Sequence, residues 1–102
     1  MLSKFIPEYV PNGAAPPASA TVDSTVRTLR SLVTLEADTR LVVIKVELHA
    51  IRLCPTGTTP TSELGFLIPA NATVELSRGE ADLAKLLRAT ADDATIQVAQ
   101  YR

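Results

Sequence analysis

The chain has 102 residues, enough for one compact core and too few for two, so a single domain is expected. Ten Lys and Arg against eleven Asp and Glu leave a formal charge of −1 with no basic block, which excludes nucleic-acid binding driven by counterion release. Hydrophobic residues make up 46% of the chain but aromatic ones only 4%, and tryptophan is absent; the core must be aliphatic, a composition that suits sheets.

Residues 1–20 differ from the rest. Pro7, Pro11, Pro16 and Pro17 interrupt short apolar islands, and Asn12-Gly13 followed by AAPPASA reads as turn and linker. Proline fixes φ and lacks a backbone donor, so neither a long helix nor a central strand can run through this region. The reading is an extended Pro-rich N-terminal arm. A frayed terminus is one reading; against it, Phe5, Ile6, Tyr9 and Val10 are apolar residues that a solvated tail has no reason to carry, and the sharper reading is that the arm docks onto a neighbouring subunit. The proline also breaks the apolar run that a secretion signal requires, and nowhere is there an uncharged apolar stretch of about 18 residues, so neither a signal peptide nor a membrane span is expected.

From Thr21 to Ala37 two readings compete. Val22, Val26, Leu29 and Val33 recur at helical spacing, with Asp23 or Ser24 as a cap. The density of Val and Thr, and the alternation of Leu32, Thr34 and Glu36 with Val33, Leu35 and Ala37, favour two short strands, Thr25 to Leu29 and Leu32 to Ala37, before a turn at Ala37-Asp38-Thr39. The longest run of strand-forming residues follows, Thr39 to Leu53. Val42, Ile44, Val46, Leu48 and Ala50 share one parity while Lys45, Glu47 and His49 share the other, the signature of a strand with one buried face. After Ala50 the apolar parity moves to Ile51 and Leu53, which predicts a bulge or a change of partner sheet near Ala50 and Ile51.

CPTGTTPTSELG is a loop, with Pro55, Gly57 and Pro60 among threonines, and it offers a contact surface at Pro55, Thr58, Thr59 and Pro60. Leu64 to Ile68 reads as a short strand buried on both faces. The residues from Pro69 to Ala72 then make a tight connection into Thr73 to Ser77, a hairpin signature; Asn71-Ala72-Thr73 also matches a glycosylation sequon, by coincidence where no secretion signal is read. Ser77-Arg78-Gly79-Glu80 has the form of a capping box, and Leu83, Leu86 and Leu87 follow at helical spacing, so a helix from Glu80 to Leu87 is expected. Thr90 to Asp93 is a turn, and Ala94 to Tyr101 a closing strand with Ile96 and Val98 inward and Thr95 and Gln97 outward.

Chemistry is sparse. His49 is the lone histidine, on the polar face beside Glu47 and Lys45, where solvation explains all three. Cys54 lies five residues on, about 16 Å away if the strand stays extended, so a Cys–His dyad is not supported and no disulfide is possible within the chain. Asp92-Asp93 is more economically a turn, and Glu80 with Asp82 a helix N-terminus, than a paired-carboxylate or calcium site. No phosphate loop, CxxC or HExxH occurs. No catalytic residue, metal site or cofactor is therefore predicted, and an enzyme is the least favoured class.

Read in order, ADTRLVVIKV, CPTGTTPTSELGFLIPANATVEL and DLAKLLRATADDATIQVAQY resemble the small β-sandwich structural proteins of tailed bacteriophages, over roughly Thr34 to Tyr101. The resemblance implies a mainly β fold, an antiparallel β-sandwich of jelly-roll-like form over residues 21–102 with one short helix, preceded by the arm at 1–20. It implies a non-enzymatic capsid decoration or cement protein, or a small neck or tail component, that assembles as a homo-oligomer, dimer or trimer. Its partners would be the major capsid protein or other virion subunits, with no nucleic acid, no membrane and no cofactor, and its location the virion, assembled in the host cytoplasm. The competing class is a small-molecule or carbohydrate-binding β-sandwich, such as a receptor-recognition module, or a degenerate cupin-like enzyme; sugar binding is weakened by the shortage of aromatic faces.

Overall fold

The computed structural model describes residues 17–102; the predicted arm, with Phe5, Ile6, Tyr9 and Val10, lies outside them up to Pro16. The described part is mainly β, with eight strands in two four-stranded antiparallel sheets and two short helices. The strands are β1 (Ala18–Val22), β2 (Arg27–Thr28), β3 (Leu41–Leu48), β4 (Ile51–Cys54), β5 (Phe66–Ile68), β6 (Thr73–Ser77), β7 (Lys85–Arg88) and β8 (Ala94–Tyr101). Helix α1 (Leu29–Leu32) follows β2, and α2 (Arg78–Leu83) follows β6. One sheet runs β1-β8-β3-β6 and the other β2-β7-β4-β5. The first strand pairs with the last, the second with the seventh, the third with the sixth and the fourth with the fifth, as when one long hairpin with its tip between β4 and β5 wraps round a core. Ala18 to Ala20 pair with Val98 to Ile96, so the sheet begins inside the stretch that the prolines suggest is arm.

The core between the sheets is aliphatic, as composition requires: Val22, Leu29, Val42, Ile44, Val46, Ile51, Leu53, Leu86, Ala94, Ile96 and Val98 are buried, and no aromatic side chain among the described residues joins them. The closing strand β8 alternates as expected, Ala94, Ile96, Val98 and Gln100 inward. In β3 the expected parity holds through Val46 and then fails. Val46 pairs with Ile96 but Leu48 pairs with Thr95, so two β3 residues occupy one step of β8. That bulge turns Leu48 to the outward side, where it is 56% exposed; the parity predicted it buried. Beyond it His49 takes a positive φ of 63°, a conformation non-glycine residues seldom adopt, and the chain leaves the first sheet to enter the second as β4. The long apolar run is thus two strands in two sheets.

Three expected elements are corrected. The predicted strand from Thr25 to Leu29 is reduced to Arg27–Thr28, and no strand forms over Leu32 to Ala37. Helix α1 begins instead at Leu29, with Thr28 Oγ1 accepting from Ser31 N at 3.2 Å; it is one turn long, and Val22, which the helical spacing also invoked, belongs to β1. Residues 34–39 are fastened by side chains and not by a ladder. Gln100 Nε2 donates to Thr34 O (2.7 Å), while Gln100 Oε1 accepts from Glu36 N (2.9 Å) and from Thr39 Oγ1 (2.6 Å). Arg78 adds Nη1 donations to Glu36 O and to Thr39 O. The expected turn closes through Thr39 N to Glu36 O at 3.1 Å.

The helix expected from Glu80 to Leu87 ends at Leu83. It begins at Arg78, two residues before the expected Glu80, but its cap is as predicted: Ser77 Oγ accepts from Glu80 N and Glu80 Oε1 from Ser77 N, both halves of the capping box. Ala84 is then extended, and Leu86 enters β7 with no exposure, between β2 and β4. Leucines at 83, 86 and 87 fit a helix locally, but only a strand fills the place between β2 and β4. Finally, β5 and β6 do not form a hairpin. β5 pairs with β4 and β6 with β3, and the Pro69–Ala72 turn, closed by Ala72 N to Pro69 O (3.2 Å) with Asn71 at φ 71°, carries the chain between sheets.

Candidate functional site

Strand β5 ends the second sheet, and its outer edge has no strand partner among the described residues. An unpaired edge presents backbone donors and acceptors to any extended segment. The predicted burial of Leu64 to Ile68 on both faces is overturned here: Leu64, Phe66 and Leu67 are 49%, 65% and 53% exposed. Register explains the positions. Phe66 lies opposite Leu53 and so shares the inward face, and Leu67 lies opposite Arg52 on the outward one. As the last strand, β5 overhangs the core and leaves its inward phenylalanine uncovered.

The tip of the long hairpin, residues 55–65, folds over the adjoining ends of β4 and β5 and forms with them a groove of ≈ 500 Å³. Leu53 and Cys54, Pro55, Thr56 and Thr58, and Glu63 to Phe66 line it, and Glu63 is the one charged residue among these described ones. The turn that shapes the Glu63 to Phe66 lining is held by Thr61, whose N donates to Leu64 O (3.1 Å) and whose Oγ1 accepts from Leu64 N (2.9 Å) and Glu63 N (3.2 Å). Gly65 is required there. Its φ is 115°, and a Cβ would stand 3.2 Å from Cys54 Sγ and 3.4 Å from Leu53 O, so the loop lies directly on β4. Arg52 supports it from the outward face: Nη1 donates to Gly65 O at 3.2 Å, while Nε is buried with no hydrogen-bond partner among the described residues.

Of the loop residues singled out from sequence, Pro55 and Thr58 line the groove, Thr59 is exposed away from it, and Pro60 is fully buried, anchoring the loop to the body. Leu64, Phe66 and Glu63 were missed. The signal was present: FLI is an apolar run of only three residues between Gly65 and Pro69, short enough to be an edge strand, which is where short strands and flanking prolines belong.

The charged groups that titrate abnormally lie away from the groove and serve the fold. The Arg78 guanidinium, hydrogen-bonded at 3.0 Å, and then Arg30 at 2.6 Å hold the Asp82 carboxyl below its ordinary value, tying α1 to α2. Asp23 is lowered likewise, first by Arg27 and then by Thr25 N. Among the described residues no group of three or more His, Cys, Asp and Glu could hold a metal ion, and Cys54 is a free, buried thiol. No helix among them is long and apolar enough to cross a membrane. No protein-family model matches the chain, and no curated protein or solved structure matches it.

Proposed function

We propose that this chain is a non-enzymatic structural protein that binds other protein subunits, and specifically a virion component of a tailed bacteriophage, a decoration or cement protein that fastens capsid subunits as a homo-oligomer. The observation that carries this reading is the uncovered apolar edge at β5: three large apolar side chains and an unpaired strand edge beside an apolar groove form a surface suited to protein and costly to leave in water. The pairing of first strand with last, inward to the fourth with the fifth, supports a jelly-roll classification, an architecture used by capsid proteins. The sequence resemblance supports the phage assignment, with the Pro-rich arm as a second contact element. A neck or tail position uses the same surface.

Jelly rolls also serve as lectins, so a carbohydrate-binding module is the second reading. The groove offers it one aromatic ring, Phe66, and one acid, Glu63, and protein is the better fit. Native mass spectrometry across micromolar concentrations, with co-sedimentation on tailed-phage heads, separates the two. Concentration-dependent oligomers that decorate heads are expected; a monomer that leaves the heads bare and binds a glycan array overturns the proposal.

A further inference from the structure

The groove beside β5 fits a particular occupant. We infer that it receives residues 4–10 of a second copy of this chain, added to β5 as a further strand, so that the arm of one protomer closes the open edge of the next. This rests on the assembly reading above and names its contact.

Three observations carry it. The first is chemical fit. Residues 4–10 read Lys-Phe-Ile-Pro-Glu-Tyr-Val, and in an extended chain Phe5, Pro7 and Tyr9 share one side while Ile6, Glu8 and Val10 share the other. An aromatic pair two steps apart matches the uncovered inward side of β5, where Phe66 stands beside Leu53. Backbone donors alternate in the same way, so with the N–H groups of Ile6, Glu8 and Val10 turned to β5 the donor that Pro7 lacks falls on the outer edge, where a sheet tolerates proline. The second is charge. Among the described residues Glu63 is the only charged one that lines the groove, and its carboxylate has no hydrogen-bond or ion-pair partner among them; Lys4 adjoins Phe5. The third is reach and direction. Ala18, where β1 begins, lies thirteen positions after Phe5, a span of up to about 45 Å, longer than the 37 Å greatest extent of the body. Two consecutive prolines, Pro16 and Pro17, just before β1 favour extended backbone, the form a chain needs to cross to a neighbour.

The test uses full-length chain and charge exchange, followed by sedimentation velocity and native mass spectrometry, with circular dichroism as the check on folding. Phe5→Asp and Phe66→Asp should each weaken self-association about tenfold or more, the effect of losing a buried anchor, and Phe66 is exposed enough for its substitution to leave the fold intact. Lys4→Glu alone and Glu63→Lys alone should each weaken assembly, and mixing the two single variants should restore it, because an altered arm then meets an altered groove on a different chain. Assembly that withstands both Phe5→Asp and Phe66→Asp overturns this contact and leaves the assembly reading standing. Monomers throughout, with a loss of folding stability for each single charge change that is regained only when both changes sit in one chain, place the arm on its own groove and overturn exchange between copies. A monomer indifferent to every substitution overturns this inference and the assembly reading together.

Discussion

Gln100→Leu tests how the fold is fastened where it lacks a ladder. Gln100 is the one polar inward residue of β8, 6% exposed, and it holds residues 34–39 by three hydrogen bonds of 2.6–2.9 Å. Leucine has nearly the same volume, so the substitution opens no cavity and the loss is polar. The bond to Thr39 Oγ1 is the most protected, since Thr39 is also buried, and removing the acceptor of a buried donor costs about 1–3 kcal/mol. Glu36 N and Thr34 O lie nearer the surface; water takes over part of their bonding, and each adds about 0.5–1 kcal/mol. The expected destabilisation is about 2–5 kcal/mol, which in a domain of this size lowers Tm by roughly 10–25 °C. Urea denaturation followed by circular dichroism reads it directly. Thr39→Val combined with Gln100→Leu should cost less than the two single losses added, because a hydrogen-bonded pair removed together leaves neither partner stranded. A loss below about 0.5 kcal/mol for Gln100→Leu, the range of an ordinary surface change, would refute the reasoning.

Other substitutions probe different links. Val46→Asp places an uncompensated carboxylate in the aliphatic core, a cost of several kcal/mol, and should abolish folding by circular dichroism. Glu47→Gln keeps the oxygen that accepts from Gln97 Nε2 at 3.0 Å and should change stability by less than about 0.5 kcal/mol; equal tolerance of both would place the β3 register wrongly. Gly65→Ala combines a positive φ with a contact at 3.2 Å to Cys54 Sγ and should cost about 1–3 kcal/mol in chemical denaturation, with the loop and the shape of the groove disturbed. The acid response follows Asp82 and Asp23, both lowered from an ordinary 3.8. A carboxylate with a depressed folded-state pKa contributes stability above its unfolded value and loses it as pH falls through the folded one. Stability should therefore decline on acidification below about pH 4, and Asp82→Asn should flatten that decline in melts taken from pH 5 to 2; an unchanged slope would mean that its pairing with Arg78 and Arg30 contributes nothing.

Local patterns decided a definite share of this protein. The aliphatic core, the alternation of β3 through Val46 and of β8 throughout, the capping box at Ser77 and Glu80, and the passage of the Thr39 to Leu53 run from one sheet to another are all written in neighbouring residues, because each depends on one face, one turn or one cap. What the sequence could not decide was partnership. Whether Leu86 continues a helix or fills a strand depends on the vacancy between β2 and β4. Whether residues 34–37 join a ladder depends on Gln100 and Arg78, more than forty positions away in the chain. Whether Phe66 is buried or bare depends on its place at the end of a sheet, and strand order is a property of long-range pairing that no window of sequence contains. The groove beside β5 belongs to this second kind: its residues are ordinary, and only the tertiary structure gathers them at an edge that nothing in the described chain covers.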